Sequence, residues 1–192
     1  MREALLMGQP GAGKSEILRA LARTVRGRAK REPAGGRGAR GRHPAAPGPP
    51  GEFLILPQGR WGRLRVWEVP GLGSRPLPDP DLRRLQSRAL ALAVTSGLVL
   101  HVVDAAAVGA LGREALGEAD WELAAVGLRR GDGYLLLAAK MDRPWATIGL
   151  ERLRRWLEPP AVLPVSARTG EGIGGLLRYL RRARPLRPLG SR

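Results

Sequence analysis

Glu3-Ala4-Leu5-Leu6-Met7-Gly8-Gln9-Pro10-Gly11-Ala12-Gly13-Lys14-Ser15 is the stretch that decides the architecture. Residues 3–7 form a short apolar run that breaks at Gly8, as a buried parallel strand does. Gly8–Ser15 then fits the pattern G-x-x-x-x-G-K-[ST] without a mismatch. Behind it, Ile17, Leu18, Leu21, Ala22 and Val25 recur at helical spacing through Ser15–Val25. Strand, glycine loop and helix stand in the order that a phosphate-binding loop requires. Its glycines let the backbone curl so that successive N–H groups face phosphate oxygens, and the helix start adds the positive end of its dipole. Lys14 is expected to reach the β- and γ-phosphates, and Ser15 to place its hydroxyl on Mg²⁺. The candidate nucleotide contacts here are Gly8, Gln9, Pro10, Gly11, Ala12, Gly13, Lys14, Ser15 and Glu16.

Working outward, 192 residues suit one α/β domain with a single core. No run of eighteen apolar residues occurs, so neither a spanning helix nor a signal peptide is expected, and the expected location is the cytoplasm. Cysteine is absent and histidine occurs twice, which excludes disulfides and thiolate metal sites and argues against a histidine-rich one. The formal net charge is +16, and 30 of the 33 basic residues are arginine, beside abundant Ala, Gly, Pro and Leu. GC-rich codon usage writes that mixture, and a compositionally biased, solvated surface is one reading of it. A surface that contacts RNA or another polyanion is the other. Against this background lysine is informative: only Lys14, Lys30 and Lys140 occur.

Residues 27–51 carry Gly, Pro, Ala and Arg with no apolar period, which predicts a flexible insertion of unusual length. Order is expected to resume with strands at 52–57 and 63–69, joined by Gly59-Arg60-Trp61-Gly62. A helix is expected over 81–95, a strand over 98–104, and a helix over 114–128. Then follow a strand at 134–139, a helix near 148–157, a strand at 161–165 and a helix at 173–182. Buried strands alternating with helices predict an α/β fold: a six-stranded, mostly parallel sheet covered on both faces, with one antiparallel edge strand.

A phosphate loop touches only phosphates, so the base is read elsewhere. Ala139-Lys140-Met141-Asp142, after the expected fifth strand, resembles the guanine-reading motif of GTPases, whose usual form is Asn-Lys-x-Asp. In that motif the aspartate, here Asp142, accepts from the guanine N1–H and 2-amino groups, and the lysine stem, here Lys140, packs over the base. Adenine lacks that donor pair, and sites built on such pairing discriminate by about 10⁴-fold. Ala139 replaces the asparagine that normally braces the phosphate loop. Ser166-Ala167-Arg168 resembles the remaining guanine loop, in which the Ala167 N–H would donate to guanine O6.

With GQPGAGKS, VWEVPGLG, LVLHVVDA, AKMD and SARTGEGI in order, the chain resembles the translation-factor-related (TRAFAC) P-loop GTPases, in particular the Era-like small bacterial ones. The resemblance covers essentially the whole chain. It implies a Ras-like three-layer fold and a GTP-binding domain over 1–184, with 27–51 as a first-switch insertion and 185–192 as a basic tail. It implies GTP or GDP as ligand, Mg²⁺ as cofactor, and RNA, ribosome or an activating protein as partner. Glu68-Val69-Pro70-Gly71 stands where the family has Asp-x-x-Gly. Glu68 would therefore serve Mg²⁺ with Ser15, and the Gly71 N–H would join Lys14 in stabilising the γ-phosphate.

Several family features are missing. Leu72 replaces a water-orienting glutamine, Gly11 supplies no K⁺ ligand, and 27–51 holds no Ser or Thr for the first switch. Slow GTP hydrolysis is the resulting expectation. A scaffold that binds guanine nucleotide without turnover fits the same departures. An ATPase or kinase using Asp104 as a metal-side acid is a third reading, against which the resemblance makes Asp104 a structural strand end.

Overall fold

The computed structural model describes residues 2–25, 53–57, 62–69, 71 and 98–183. The expected insertion at 27–51, the helix at 81–95, Leu72 and the basic tail lie outside the described residues. Strand β1 is Arg2–Met7 and helix α1 is Lys14–Val25. Strands β2, Phe53–Pro57, and β3, Arg63–Glu68, are antiparallel. Next come β4, Leu98–Asp104, and helix α2, Ala105–Leu111. A 3₁₀ turn, Gly112–Ala115, leads into helix α3, Glu118–Arg130. A second 3₁₀ turn precedes β5, Tyr134–Ala139, which is followed by helix α4, Ala146–Leu157. Strand β6, Val162–Pro164, and helix α5, Ile173–Arg182, complete the described elements.

The strands order as β2-β3-β1-β4-β5-β6, and every neighbouring pair but β2–β3 is parallel. The expected six-stranded sheet with one antiparallel edge strand is therefore the observed one. All six residues of β5 are buried, and of the seven in β4 only Asp104 is less than fully covered. That is why both strands read as continuous apolar runs rather than alternating ones. One face packs on α1 and α5 through Ile17, Leu18, Leu21, Ile173, Leu176 and Leu180. The opposite face packs on α2, α3 and α4 through Val108, Leu123, Leu150 and Leu153. Strand β1 lies between β3 and β4, so the chain order reverses across its carboxyl end. A crevice opens at such a reversal, and the glycine loop sits there.

The sequence reading is corrected on the α2–α4 side. In place of a helix over 114–128, α2 begins directly after β4, and α3 runs Glu118–Arg130. Two caps account for this. Asp104 Oδ1 accepts the Ala107 N–H at 3.0 Å, starting a helix in an alanine run too short to show periodicity. Asp120 Oδ2 accepts the Gly117 N–H at 3.0 Å, which fixes the later start of α3. Helix α4 begins two residues before its expected start, and β6 is shorter than 161–165.

Helices α2 and α4 cross at glycines. A Cβ on Gly149 would stand 1.7 Å from the Ala105 carbonyl oxygen, and one on Gly109 would stand 2.0 Å from that of Trp145. Backbone cannot yield as a side-chain tip can. Gly149→Ala is therefore expected to lower stability by about 1–3 kcal/mol or more. Gly174→Ala, whose Cβ would meet nothing nearer than the Arg178 guanidinium at 3.7 Å, should be neutral or stabilising. Urea unfolding midpoints of the two variants measure the contrast.

Candidate functional site

The chain leaves β1 through Gly8 at φ +145, and a Cβ there would lie 2.2 Å from the Val102 carbonyl oxygen of β4. Glycine is thus demanded both by conformation and by the closeness of the neighbouring strand. Gly11 and Gly13, at φ +75 and +106, complete the curl. Lys14 begins α1 and folds back into the loop, where its Nζ donates to the carbonyls of Gly8 at 3.0 Å and Gln9 at 2.7 Å. Burial pushes this ammonium below the ordinary lysine value, against the opposing pull of the Glu68 and Asp120 carboxylates. A phosphate in the loop would supply the missing negative charge.

Pro10, Gly11, Gly13, Lys14, Ser15, Glu16, Arg19, Glu68 and Gly71 line a cavity of about 380 Å³. Ser15 Oγ donates to Glu68 Oε1 at 2.5 Å, so the end of β3 and the start of α1 meet at one hydroxyl–carboxylate pair. These hard oxygen donors suit Mg²⁺, which binds few protein groups and shares its sphere with phosphate and water. Among the described residues no group of three or more His, Cys, Asp or Glu is placed to hold a metal ion. Gly71 rests against the loop, where a Cβ would stand 2.7 Å from Pro10 N.

The second half of the site stands at the ends of β5 and β6. Lys140 takes the left-handed region at φ +60, costly for a side-chain-bearing residue and often found where function needs it. That turn sends Nζ across to the Gly11 carbonyl at 2.6 Å and to Asp104 Oδ2 at 2.7 Å. Asp104 therefore caps α2 with one oxygen and anchors Lys140 with the other. This is more than the structural strand end the resemblance implied, and the Ser15–Glu68 pair is not among its partners. Ala139 is buried, and its methyl lies 3.8 Å from where a Gly13 Cβ would be.

Asp142 Oδ1 accepts from Ser166 Oγ at 2.5 Å and Oδ2 from Arg168 Nε at 2.6 Å. Those two bonds hold the carboxyl down at about 2, against an ordinary 3.8. Ser166, fully buried, also accepts the Thr169 N–H at 3.1 Å, which fixes the turn that presents Ala167. Glu16, Arg19, Arg23, Lys140, Asp142, Arg143, Pro144, Ala167 and Arg168 line a second cavity of about 580 Å³. Glu16 and Arg19 line both cavities, so the two are neighbours along α1.

The tertiary structure thus brings the three sequence motifs to one edge of the sheet. It adds Arg19, Arg23, Arg143 and Pro144, which the motif reading did not single out. Arg23 donates to the Ala167 carbonyl at 3.3 Å. The spacing of Glu16, Arg19 and Arg23 on one helix face was a usable signal, masked by the abundance of arginine. His101 and Asp120 were also missed, and they are taken up below.

No family model matches the chain. It is 32% identical over 178 residues to the tRNA modification GTPase MnmE of Thermus thermophilus, matching 93% of this chain. The match spans 32% of that relative, so the chain corresponds to about a third of its length. Among solved structures, a probable GTP-binding protein engB superposes with a TM-score of 0.60 at 14% identity, covering 93% of this chain and 96% of that one. The cytosolic domain of L. pneumophila FeoB gives 0.61 at 16%, covering 95% and 69%. A GTP-binding protein of Sulfolobus solfataricus in complex with GDP gives 0.64 at 14%, covering 95% and 52%. The fold is that of the P-loop GTPases. Among the described residues no helix is long and apolar enough to cross a membrane.

Ser166→Ala removes the larger of the two influences on Asp142 and should raise its titration midpoint from about 2 toward the ordinary 3.8. Carboxyl-carbon NMR of labelled aspartate reads this directly, and an unmoved midpoint would assign the shift to Arg168 instead.

Proposed function

We propose that the chain binds GTP and GDP with Mg²⁺ and acts as a molecular switch that hydrolyses GTP slowly to GDP and phosphate. One observation carries the reading. The Asp142 carboxylate, held ionised by Ser166 and Arg168, lines a cavity adjoining the one that contains Lys14. The reading rests further on the relative's name, on the GDP bound to the Sulfolobus neighbour, and on the sequence motifs. As a proposal it takes the domain as 1–184 and the cytoplasm as its location.

In this reading Asp142 accepts from the guanine N1–H and 2-amino groups, the Lys140 stem covers the base, and the Ala167 N–H donates to O6. The phosphates lie along Gly8–Ser15, with Glu16 beside them. Lys14 and the Gly71 N–H oppose the charge that develops as water attacks the γ-phosphate. Mg²⁺, held by Ser15 and Glu68, would neutralise charge on the β- and γ-oxygens. Glu68 is one methylene longer than the family's aspartate, and Gly11 offers no side chain for a potassium ion. Leu72, outside the described residues, lacks a group to orient water. Those features support slow turnover. They equally favour a second reading, a guanine-nucleotide scaffold without hydrolysis. An activating protein, and RNA or a ribosomal surface meeting the arginine-rich exterior, are the partners this reading expects. Salt-dependent RNA retention tests the latter, since phosphate contacts weaken steeply with ionic strength.

Equilibrium titration with labelled GDP, GTP and ATP should show the guanine nucleotides bound tightest, with preference over ATP of about 10⁴-fold or more. Tighter ATP binding would retire the proposal. Asp142→Asn should abolish the guanine preference and confer xanthosine diphosphate binding, because an amide donates where the carboxylate accepted. Single-turnover phosphate release, compared in K⁺ and Na⁺, should be slow and insensitive to the cation. No release at all selects the scaffold.

A further inference from the structure

The Gln9 side chain bonds to groups outside the phosphate loop. Its Nε2 donates to the Ala115 carbonyl at 3.0 Å and to Asp120 Oδ2. Asp120, in the first turn of α3, is 1% exposed, and its other oxygen meets His101 Nε2 at 2.9 Å. His101 on β4 and Tyr134 on β5 are both 0% exposed, and His101 Nδ1 lies 2.6 Å from the Tyr134 hydroxyl. Burial, with the charge of Asp120, pushes the phenol far up, so Tyr134 remains a donor. One proton arrangement satisfies all of them. Tyr134 O–H donates to Nδ1, the imidazole Nε2–H donates to Asp120, and the Asp120 carboxylate accepts from Gln9 and from the Gly117 N–H. Gly127 leaves room for this, since a Cβ there would stand 2.7 Å from the Tyr134 ring.

Packing alone does not call for such a chain, because well-packed apolar side chains of similar volume often replace buried charged groups without loss of stability. What distinguishes it is where it ends. The Gln9 carbonyl accepts from Lys14 Nζ at 2.7 Å and from the Ala12 N–H at 3.3 Å. One residue is therefore gripped at its side chain by the buried network, and its peptide grips the phosphate-loop lysine. We infer that Gln9 is a positioning residue for Lys14, oriented by the Asp120–His101–Tyr134 chain, and that nucleotide affinity depends on this linkage. The inference rests on the nucleotide reading above. Burial pushes the Asp120 carboxyl up, but the His101, Gln9 and Gly117 bonds outweigh it and leave the carboxyl below its ordinary value. The titratable and charged groups facing Asp120 are His101, Tyr134 and, through the loop, Lys14.

The test uses Gln9→Leu, Asp120→Ala and Gln9→Glu in the full chain, each checked for folding by circular dichroism. Gln9→Leu and Asp120→Ala should each weaken GDP and GTP binding about tenfold, a charge-assisted hydrogen bond's worth. The double variant should be no worse than either single one, because both break the same link. The guanine-over-adenine ratio should stay unchanged. Gln9→Glu sets two carboxylates face to face, so its binding should be weak at pH 8 and partly recover as the pH falls and one proton is shared. Gln9→Leu should show no such recovery, and a merely structural role would not produce that pH profile. Folded Gln9→Leu with wild-type affinity overturns the inference. If the wild-type protein binds no guanine nucleotide, the proposed function falls, whereas wild-type binding with an unaffected Gln9→Leu sinks the linkage alone.

Discussion

A buried ammonium that donates to two carbonyls of its own loop is the constraint on which the rest of the site hangs. Lys14 is 5% exposed and is held by the peptides of Gly8 and Gln9. Desolvation disfavours its charge, and the nearest compensation comes from Glu68 at the end of β3 and Asp120 at the start of α3. The loop can hold it there only because Gly8 passes the β4 backbone too closely for any side chain. That closeness exists because β1 is a central strand whose two neighbours, β3 and β4, both run parallel to it. The sheet order, the choice of glycine and the electrostatics of the lysine are one arrangement.

The two halves of the site are prepared differently. On the loop side the Lys14 ammonium donates to two carbonyls, with the Glu68 and Asp120 carboxylates drawing on it. In the second cavity Asp142 is fixed and ionised through Ser166 and Arg168, although 24 and 26 residues of sequence separate them. Lys140 joins the halves, since its amine touches Gly11 of the loop while its backbone continues into Asp142. Asp104 stabilises that bridge and starts α2 with the same carboxylate. A short alanine-rich helix beside the sheet is thus coupled to the geometry of Lys140.

Much of the fold was legible because the central strands are buried on both sides. Leu98–Asp104 and Tyr134–Ala139 coincide with their expected limits, as apolar runs flanked by an acid or glycine leave little freedom. The region between them was misread because Ala105–Leu111 is nearly all small and apolar and shows no helical period. Its start is set by a single cap, a signal easily passed over when Asp104 is taken for a strand end. Lys140, Asp142, Ala167 and Arg168, taken from two motifs that are separate in the sequence, line one cavity. The other arginines of that cavity were not singled out, because thirty arginines in the chain carry no positional information individually.

By itself the sequence determined the glycine loop, the alternation of strand and helix, and the residue types on which the nucleotide reading rests. These are local matters: a glycine's permitted φ, an apolar period, a lysine followed two residues later by aspartate. Only the tertiary structure decided which of them meet. It put Glu68 on Ser15, Ser166 on Asp142, and Lys140 on both Gly11 and Asp104. It also joined Gln9 to Asp120, His101 and Tyr134 across three elements. Hydrogen bonds between residues a hundred positions apart follow from strand order and register, and no pattern along the chain encodes those before the sheet has formed.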